Sequence, residues 1–164
     1  GLDEHPGANV QKGAADAANI INTFINSPSW PTSAFILTYD EGGGLYEHVL
    51  PGREIKPDNL APILRSTDKP GDFNQTGFRV PLVVVSPWVK PSFVSHTTRD
   101  YTSILRLIED TFNVAPLTLR DKNADNMMEF FDFSAGPRLL TPPPLPAQPT
   151  NGTCNNNLEK APGF

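Results

Sequence analysis

With 164 residues and 38% hydrophobic content, the chain has room for one domain with a modest core. Its net charge is −5 and it has no cluster of Lys and Arg, which excludes the basic footprint of a nucleic-acid binder. No apolar run approaches the roughly 20 residues needed to cross a bilayer, so any membrane contact is expected to be peripheral at most. Pro (18 residues) and Gly (12 residues) are heavily used, so many fixed turns and long ordered loops are expected around a limited amount of regular structure. Cys154 is the only cysteine and lies in a polar tail, so neither an internal disulfide nor a zinc cluster can be built. Asn74-Gln75-Thr76 and Asn151-Gly152-Thr153 are sequons that fit a secreted or cell-surface glycoprotein. The chain opens on Gly1-Leu2-Asp3-Glu4-His5-Pro6, without a start methionine or signal peptide, and reads as a segment of something longer.

Val10 to Asn26 reads as the first helix, with Val10, Ala14, Ala17, Ile21, Phe24 and Ile25 spaced to share one face. Ser27-Pro28 ends it, because the residue before proline is pushed out of the helical region. Ser33 to Tyr39 is a short apolar run suited to a buried strand, and it stops at Asp40-Glu41-Gly42-Gly43-Gly44. Residues 51–79 are rich in Pro, Gly, Asp and Lys without periodicity, which predicts a long loop. Leu82 to Val85 is a second buried strand, closed by Ser86-Pro87-Trp88. Asp100 is placed to cap a second helix whose apolar face is Ile104, Leu105, Ile108 and Phe112. Trp30 and Trp88 are expected to pack over the strand edges. Residues 136–164, with Pro142-Pro143-Pro144 and an Asn-rich run, read as an irregular or disordered tail after a domain spanning 1–135. Helix, strand, strand, helix predicts an α/β layer with a mostly parallel sheet flanked by helices. Two strands are too few to complete such a sheet.

Asp40 and Glu41 are the sharpest chemical signal. Adjacent carboxylates at the end of a buried strand occupy the place where α/β sheets collect ligands. Held together they repel each other, and a divalent cation relieves that repulsion through hard oxygen ligands. The competing reading is an exposed turn that uses Asp and Gly for their turn chemistry. His5 and His48, each beside an acid, suit metal binding, phosphate binding or proton transfer, or else are surface histidines. His96 sits before the helix cap, where anchoring the turn is the simpler role. Arg79 could grip phosphate with its fork or pair with an acid, and the structural role is favoured.

These motifs occur in the order seen in a known family. Asp3-Glu4-His5-Pro6, Ser27-Pro28-Ser29-Trp30, Thr38-Tyr39-Asp40-Glu41-Gly42-Gly43, Tyr46-Glu47-His48-Val49, Arg79-Val80-Pro81, Ser86-Pro87-Trp88 and Asp100-Tyr101-Thr102-Ser103-Ile104-Leu105 together resemble the phosphoesterase family of phospholipases C and acid phosphatases. The resemblance covers about residues 3–133. It implies the C-terminal part of an alkaline-phosphatase-like fold and hydrolysis of a phosphate ester or phospholipid with a divalent metal cation. Asp40 and Glu41 are then metal ligands, His5 helps the leaving group depart, and His48 is a neighbour of the site. The family more often has Asp-His where this chain has Glu47-His48. Its Glu-Asn metal motif and its Ser or Thr nucleophile fall before the matched region, so this chain resembles one half of an active site and is expected to be inactive alone. The rival readings are a sulfatase or phosphotransferase on the same scaffold and a non-catalytic secreted binding module.

Overall fold

The computed structural model describes residues 2–44 and 46–152; Cys154, Thr153 of the second sequon and the Asn155–Asn157 run lie outside them. The first helix, α1, spans Val10–Ile25. Asn9 caps it by accepting a hydrogen bond from the Gln11 N–H at 3.0 Å. Its C-terminal half turns Ile21 and Ile25 inward, as the spacing predicts, but its N-terminal half is rotated. There Gly13 and Ala18 are buried, while Val10 and Ala14 face solvent. The rotation follows from Glu4, whose side chain lies directly over Gly13, leaving no room for a β-carbon.

Ile21, Ile25 and Trp30 form the core, with Phe24, Phe35 and Val85 packed on it. Phe24 meets Trp30 edge-on at 5.6 Å, an arrangement that suits the aromatic quadrupole, and Phe35 at 5.7 Å with the rings tilted by 40°. Trp30 is therefore a core residue rather than a cover for a strand edge, and its indole N–H is satisfied by the Leu139 carbonyl at 3.0 Å. Trp88 lies nearer the surface, donating to the Pro31 carbonyl at 2.9 Å and packing on Phe133.

The two strands, β1 (Phe35–Thr38) and β2 (Leu82–Val85), form a two-stranded sheet. They pair antiparallel, from Phe35 opposite Val85 to Thr38 opposite Leu82, which corrects the expected parallel arrangement. A parallel pair needs a crossover that returns to the starting end of the sheet, usually through a helix. Among the described residues between β1 and β2 there is no helix, and the connection re-enters the sheet at the end where β1 leaves it. That connection does contain the predicted long loop. Residues 52–54 and 74–76 pair at its base, through Glu54 N–H to Asn74 O at 2.8 Å and Thr76 N–H to Gly52 O at 2.9 Å. Thr76, the hydroxyl residue of the first sequon, also accepts from the Gly52 N–H at 2.9 Å.

The second helix, α2, spans Thr102–Phe112, and Asp100 accepts from the Thr102 N–H at 2.8 Å at its start. Its inward face is polar: Ser103 and Glu109 are buried, whereas Leu105, Ile108 and Phe112 are exposed. The predicted apolar face is thus correct as a stripe but is not turned toward the described core. The reason is α3 (Leu119–Asn123), which packs on the Glu109 side and presents the buried Asp121. This short helix is fixed by a capping box between Thr118 and Asp121. It also holds the long loop: Leu119 N–H donates to Pro57 O at 2.8 Å, and Arg120 donates to the carbonyls of Ile55 and Phe73.

Candidate active site

Asp40 and Glu41 stand just past the last paired residue of β1, Thr38, and both are exposed. Gly43 and Gly44 follow at φ of 65° and 72°, the left-handed region where glycine is unstrained, so the chain turns sharply away from the strand. The antiparallel pairing brings the entrance to β2 to the same place. A β-carbon on Gly42 would stand 3.7 Å from Phe78 Cβ and 3.9 Å from the Arg79 carbonyl, so residues 78–79 wall one side of the turn.

The Asp3–Pro6 segment closes on the turn from another side. Pro6 packs over Gly43, at 3.6 Å from where its β-carbon would be. On the other flank of His5, the Glu4 carboxylate accepts a hydrogen bond from the Tyr39 hydroxyl. His5 is therefore bracketed against the residues before and after Asp40. Its ring is exposed, and Nδ1 lies 3.1 Å from the Pro6 carbonyl. That contact places a proton on Nδ1 and leaves Nε2 as the atom able to exchange one.

Arg79 takes the role of ion-pair partner. Its Nε and a terminal nitrogen donate to the two oxygens of Glu47 at 2.7 and 2.8 Å, a bidentate fork. Glu47 Oε1 also accepts from the N–H groups of His48 and Val49 at 2.8 and 2.9 Å. The Arg79 hydrogen bonds, followed by that from Val49, hold the Glu47 carboxyl down at about 2. His48 Nδ1 lies 3.6 Å from Glu47, but its side chain is 71% exposed and extends to solvent. The structure thus anchors the backbone at His48 without bringing its ring to the carboxylates. His96 is also exposed, and the turn around it is tied instead by Arg99, which reaches Ser95, Asp125 and Glu129.

Neither periodicity nor motif spacing gives Tyr101 a role of its own. Its hydroxyl lies 2.7 Å from the Tyr39 carbonyl and 2.9 Å from the Asp40 carbonyl. Burial, and then the charges of Asp40 and Glu41, raise its pKa and keep it a donor. Its only sequence signal was a place in the Asp100–Leu105 motif. Among the described residues, no three His, Cys, Asp or Glu side chains gather as a metal site. Asp40 and Glu41 fit a hard cation in chemistry, but a full set of six or more oxygens needs further donors.

Residues 1–115 match the family described as the Phosphoesterase family. The chain belongs to that family. The chain is 32% identical over 172 residues to phospholipase C B of Mycobacterium tuberculosis, covering 95% of itself and 33% of that protein. It is 31% identical over 156 residues to non-specific phospholipase C1 of Arabidopsis thaliana, covering 88% of itself and 29% of that protein. With non-specific phospholipase C4 of the same plant it shares 37% identity over 94 residues, 57% of this chain and 17% of that protein. The chain therefore spans about a third of the length of the first two relatives and less of the third.

Proposed function

We propose that this chain supplies part of the active site of a metal-assisted phosphoesterase acting on phospholipids or smaller phosphate esters. The observation that carries the reading is the meeting of two sequence-distant motifs at the end of β1: the Asp40–Gly44 turn and the Asp3–Pro6 segment packed on it. Asp40 and Glu41 would hold a divalent cation, which when bound neutralises charge on the phosphate and favours attack by a hydroxyl. In its doubly protonated form, with Nδ1–H on the Pro6 carbonyl, His5 would turn Nε2–H outward to protonate the departing alkoxide and be left as the neutral Nδ1–H ring. Arg79 and Glu47 shape the wall of the turn rather than grip the substrate, and His48 is a peripheral neighbour.

The names of the relatives favour a phospholipase C over an acid phosphatase. The resemblance extends to an alkaline-phosphatase-like fold, in which β1 and β2 would join a larger sheet, and the two sequons suit a secreted or cell-surface location. The resemblance provides a Ser or Thr nucleophile for which no position here is matched, so residues 1–164 alone should show no turnover above background.

The test uses the complete protein, divalent metals added one at a time, and two substrates, an aryl phosphate and an aryl phosphocholine. Asp40→Asn and Glu41→Gln should each lower metal affinity and turnover together. Each loss should exceed the roughly 10- to 100-fold cost of removing an outer-shell partner. Full activity and unchanged metal affinity in both variants would rule the assignment out. Preference for the phosphocholine ester would separate the phospholipase from the phosphatase.

A further inference from the structure

We propose that Glu4, Tyr39 and Tyr101 form a positioning chain that fixes the His5 segment relative to the Asp40–Glu41 turn. The inference rests on the reading above and names what would hold its two halves in register.

The chain of contacts runs through three elements. At one end, Tyr101 stands at the start of α2, and its single proton has two acceptors in reach, the carbonyls of Tyr39 and Asp40. Those carbonyls lie past the last paired residue of β1, where the ladder no longer fixes the backbone. Tyr101 therefore restrains the peptide units that aim the Asp40 and Glu41 side chains. From the same stretch, the Tyr39 hydroxyl donates to Glu4. Glu4 in turn is seated over α1 at Gly13, where an added β-carbon would lie 3.0 Å from Oε1 and 3.1 Å from Cδ, and nearer still to Cγ. A side chain at position 13 would push Glu4 off its seat.

Because Glu4 and Pro6 flank His5, anchoring Glu4 to Tyr39 and Pro6 to Gly43 fixes His5 at two points. The hydroxyls of these tyrosines are occupied by protein acceptors. They are positioning residues. Both hydroxyls face acceptors only, a carboxylate and two carbonyls, so each serves as a donor.

Gly13 offers a way to break the chain without deleting a hydrogen-bonding group. Gly13→Ala improves helix propensity by about 1 kcal/mol yet displaces Glu4. In the full chain without metal, Gly13→Ala, Glu4→Ala and Tyr101→Phe should each shift the His5 ring resonances and speed amide exchange at Gly42–Gly44. The thermal midpoint of Gly13→Ala should stay within about 2 °C of wild type, or rise, which a merely structural role would not permit. Glu4→Gln keeps an acceptor for Tyr39 and should leave both readouts as in wild type. Unchanged His5 shifts and Gly42–Gly44 exchange in the first three variants would overturn the positioning chain. Equal effects of Glu4→Gln and Glu4→Ala would overturn it as well. Broadening of His5 by added Mn²⁺, lost in Asp40→Asn, checks the metal reading separately. Its absence in wild type would remove that reading while the metal-free measurements still decide the positioning chain.

Discussion

His5 and His48 are both exposed histidines beside acids, and what distinguishes them is the task of the neighbouring acid. Glu4 is tied to Tyr39 and so ties His5 to the carboxylate turn, whereas Glu47 is tied to Arg79 and leaves the His48 ring in solvent. His5→Ala should therefore lower turnover of an alkyl phosphate ester by about 10²-fold or more, the usual range for loss of a general acid. An aryl ester, whose leaving group needs little protonation, should lose much less; equal losses would mean that His5 binds or braces instead. Glu47 makes a prediction in pH. Its folded pKa, about 2, lies below the ordinary 4.5, so its contribution is present above that ordinary value and is lost as pH falls through the folded one. The His48 and Val49 amides that it accepts from should stay protected from exchange at pH 4.5 and open toward pH 2. Glu47→Gln should remove that dependence, as read by amide exchange. The carboxylate pair was legible in the sequence because Asp-Glu followed by three glycines after an apolar run is locally distinctive. Tyr39 and Tyr101 were not, because one acts on a distant glutamate and the other on backbone carbonyls, neither of which leaves a pattern in spacing.

At the scale of elements, α1 and α2 follow from periodicity and both strands from short apolar runs bounded by turn residues, but strand direction does not. Direction depends on the path of residues 39–81, a stretch without periodicity that returns to the end of the sheet it left. The five-residue α3 is too short for a 3.6-residue repeat to register, though Thr118 and Asp121 have the spacing of a capping box. Missing α3 also hid why α2 turns a polar face inward. Glu109 is 6% exposed and Asp121 1%, and the two carboxyls stand against each other where α3 packs on α2. Oε2 of Glu109 is buried, and among the described residues no N–H or O–H donates to it, which suits a protonated carboxyl that itself donates. Burial, then the bond to Asp121, raises the Glu109 pKa, with Arg106 opposing and Asp110 adding to the effect. Burial works to raise Asp121 as well, but hydrogen bonds from Thr118, Glu109 and the Leu117 N–H outweigh it and bring it to about 2. The signs are opposite. The Glu109 contribution is full below its ordinary 4.5 and is lost as pH rises through the raised folded value. The Asp121 contribution is full above its ordinary 3.8 and is lost as pH falls through about 2. The docking of α3 should thus be firmest in mild acid and weaken toward alkaline pH. Glu109→Gln, which donates without titrating, should raise the thermal midpoint at pH 8 relative to wild type and flatten its fall toward alkaline pH. A wild-type midpoint that climbs steadily to pH 8, in parallel with that of the variant, would contradict this.

Across the whole molecule, the last described stretch binds back onto the first helix. Residues 136–152 contain no helix or strand, yet they run along α1 from its C-terminal to its N-terminal end. Arg138 N–H donates to the Pro87 carbonyl at 2.6 Å, and the Leu139 carbonyl accepts from Trp30. Leu145 exchanges two hydrogen bonds with the Asn22 side chain, at 2.7 and 3.3 Å. Farther along, the Thr150 carbonyl accepts from Asn9, and the Gly152 N–H donates to Gln11 at 2.6 Å. Composition conveyed the irregularity of this stretch but not its attachment, since prolines exclude a regular ladder while side-chain amides on α1 supply the missing partners. Asn9, Gln11 and Asn22 are ordinary polar residues of an exposed helix face until the strap is seen. Because α1 carries Ile21 and Ile25 into the core and seats Glu4 at Gly13, the strap supports both stability and the site. Asn22→Ala removes a donor and an acceptor together, at a cost of about 1 kcal/mol, since each exposed hydrogen bond contributes modestly. For a chain of this size that is a fall of roughly 2–4 °C in thermal midpoint. Removing residues 138–164 should cost more, because it also strips the acceptor from the buried Trp30 indole. In a Trp88→Phe background, where Trp30 is the sole indole, that deletion should shift the emission to the red while Asn22→Ala leaves it in place. An unshifted spectrum and an unchanged midpoint in the deletion would show that the strap rests on α1 without supporting it.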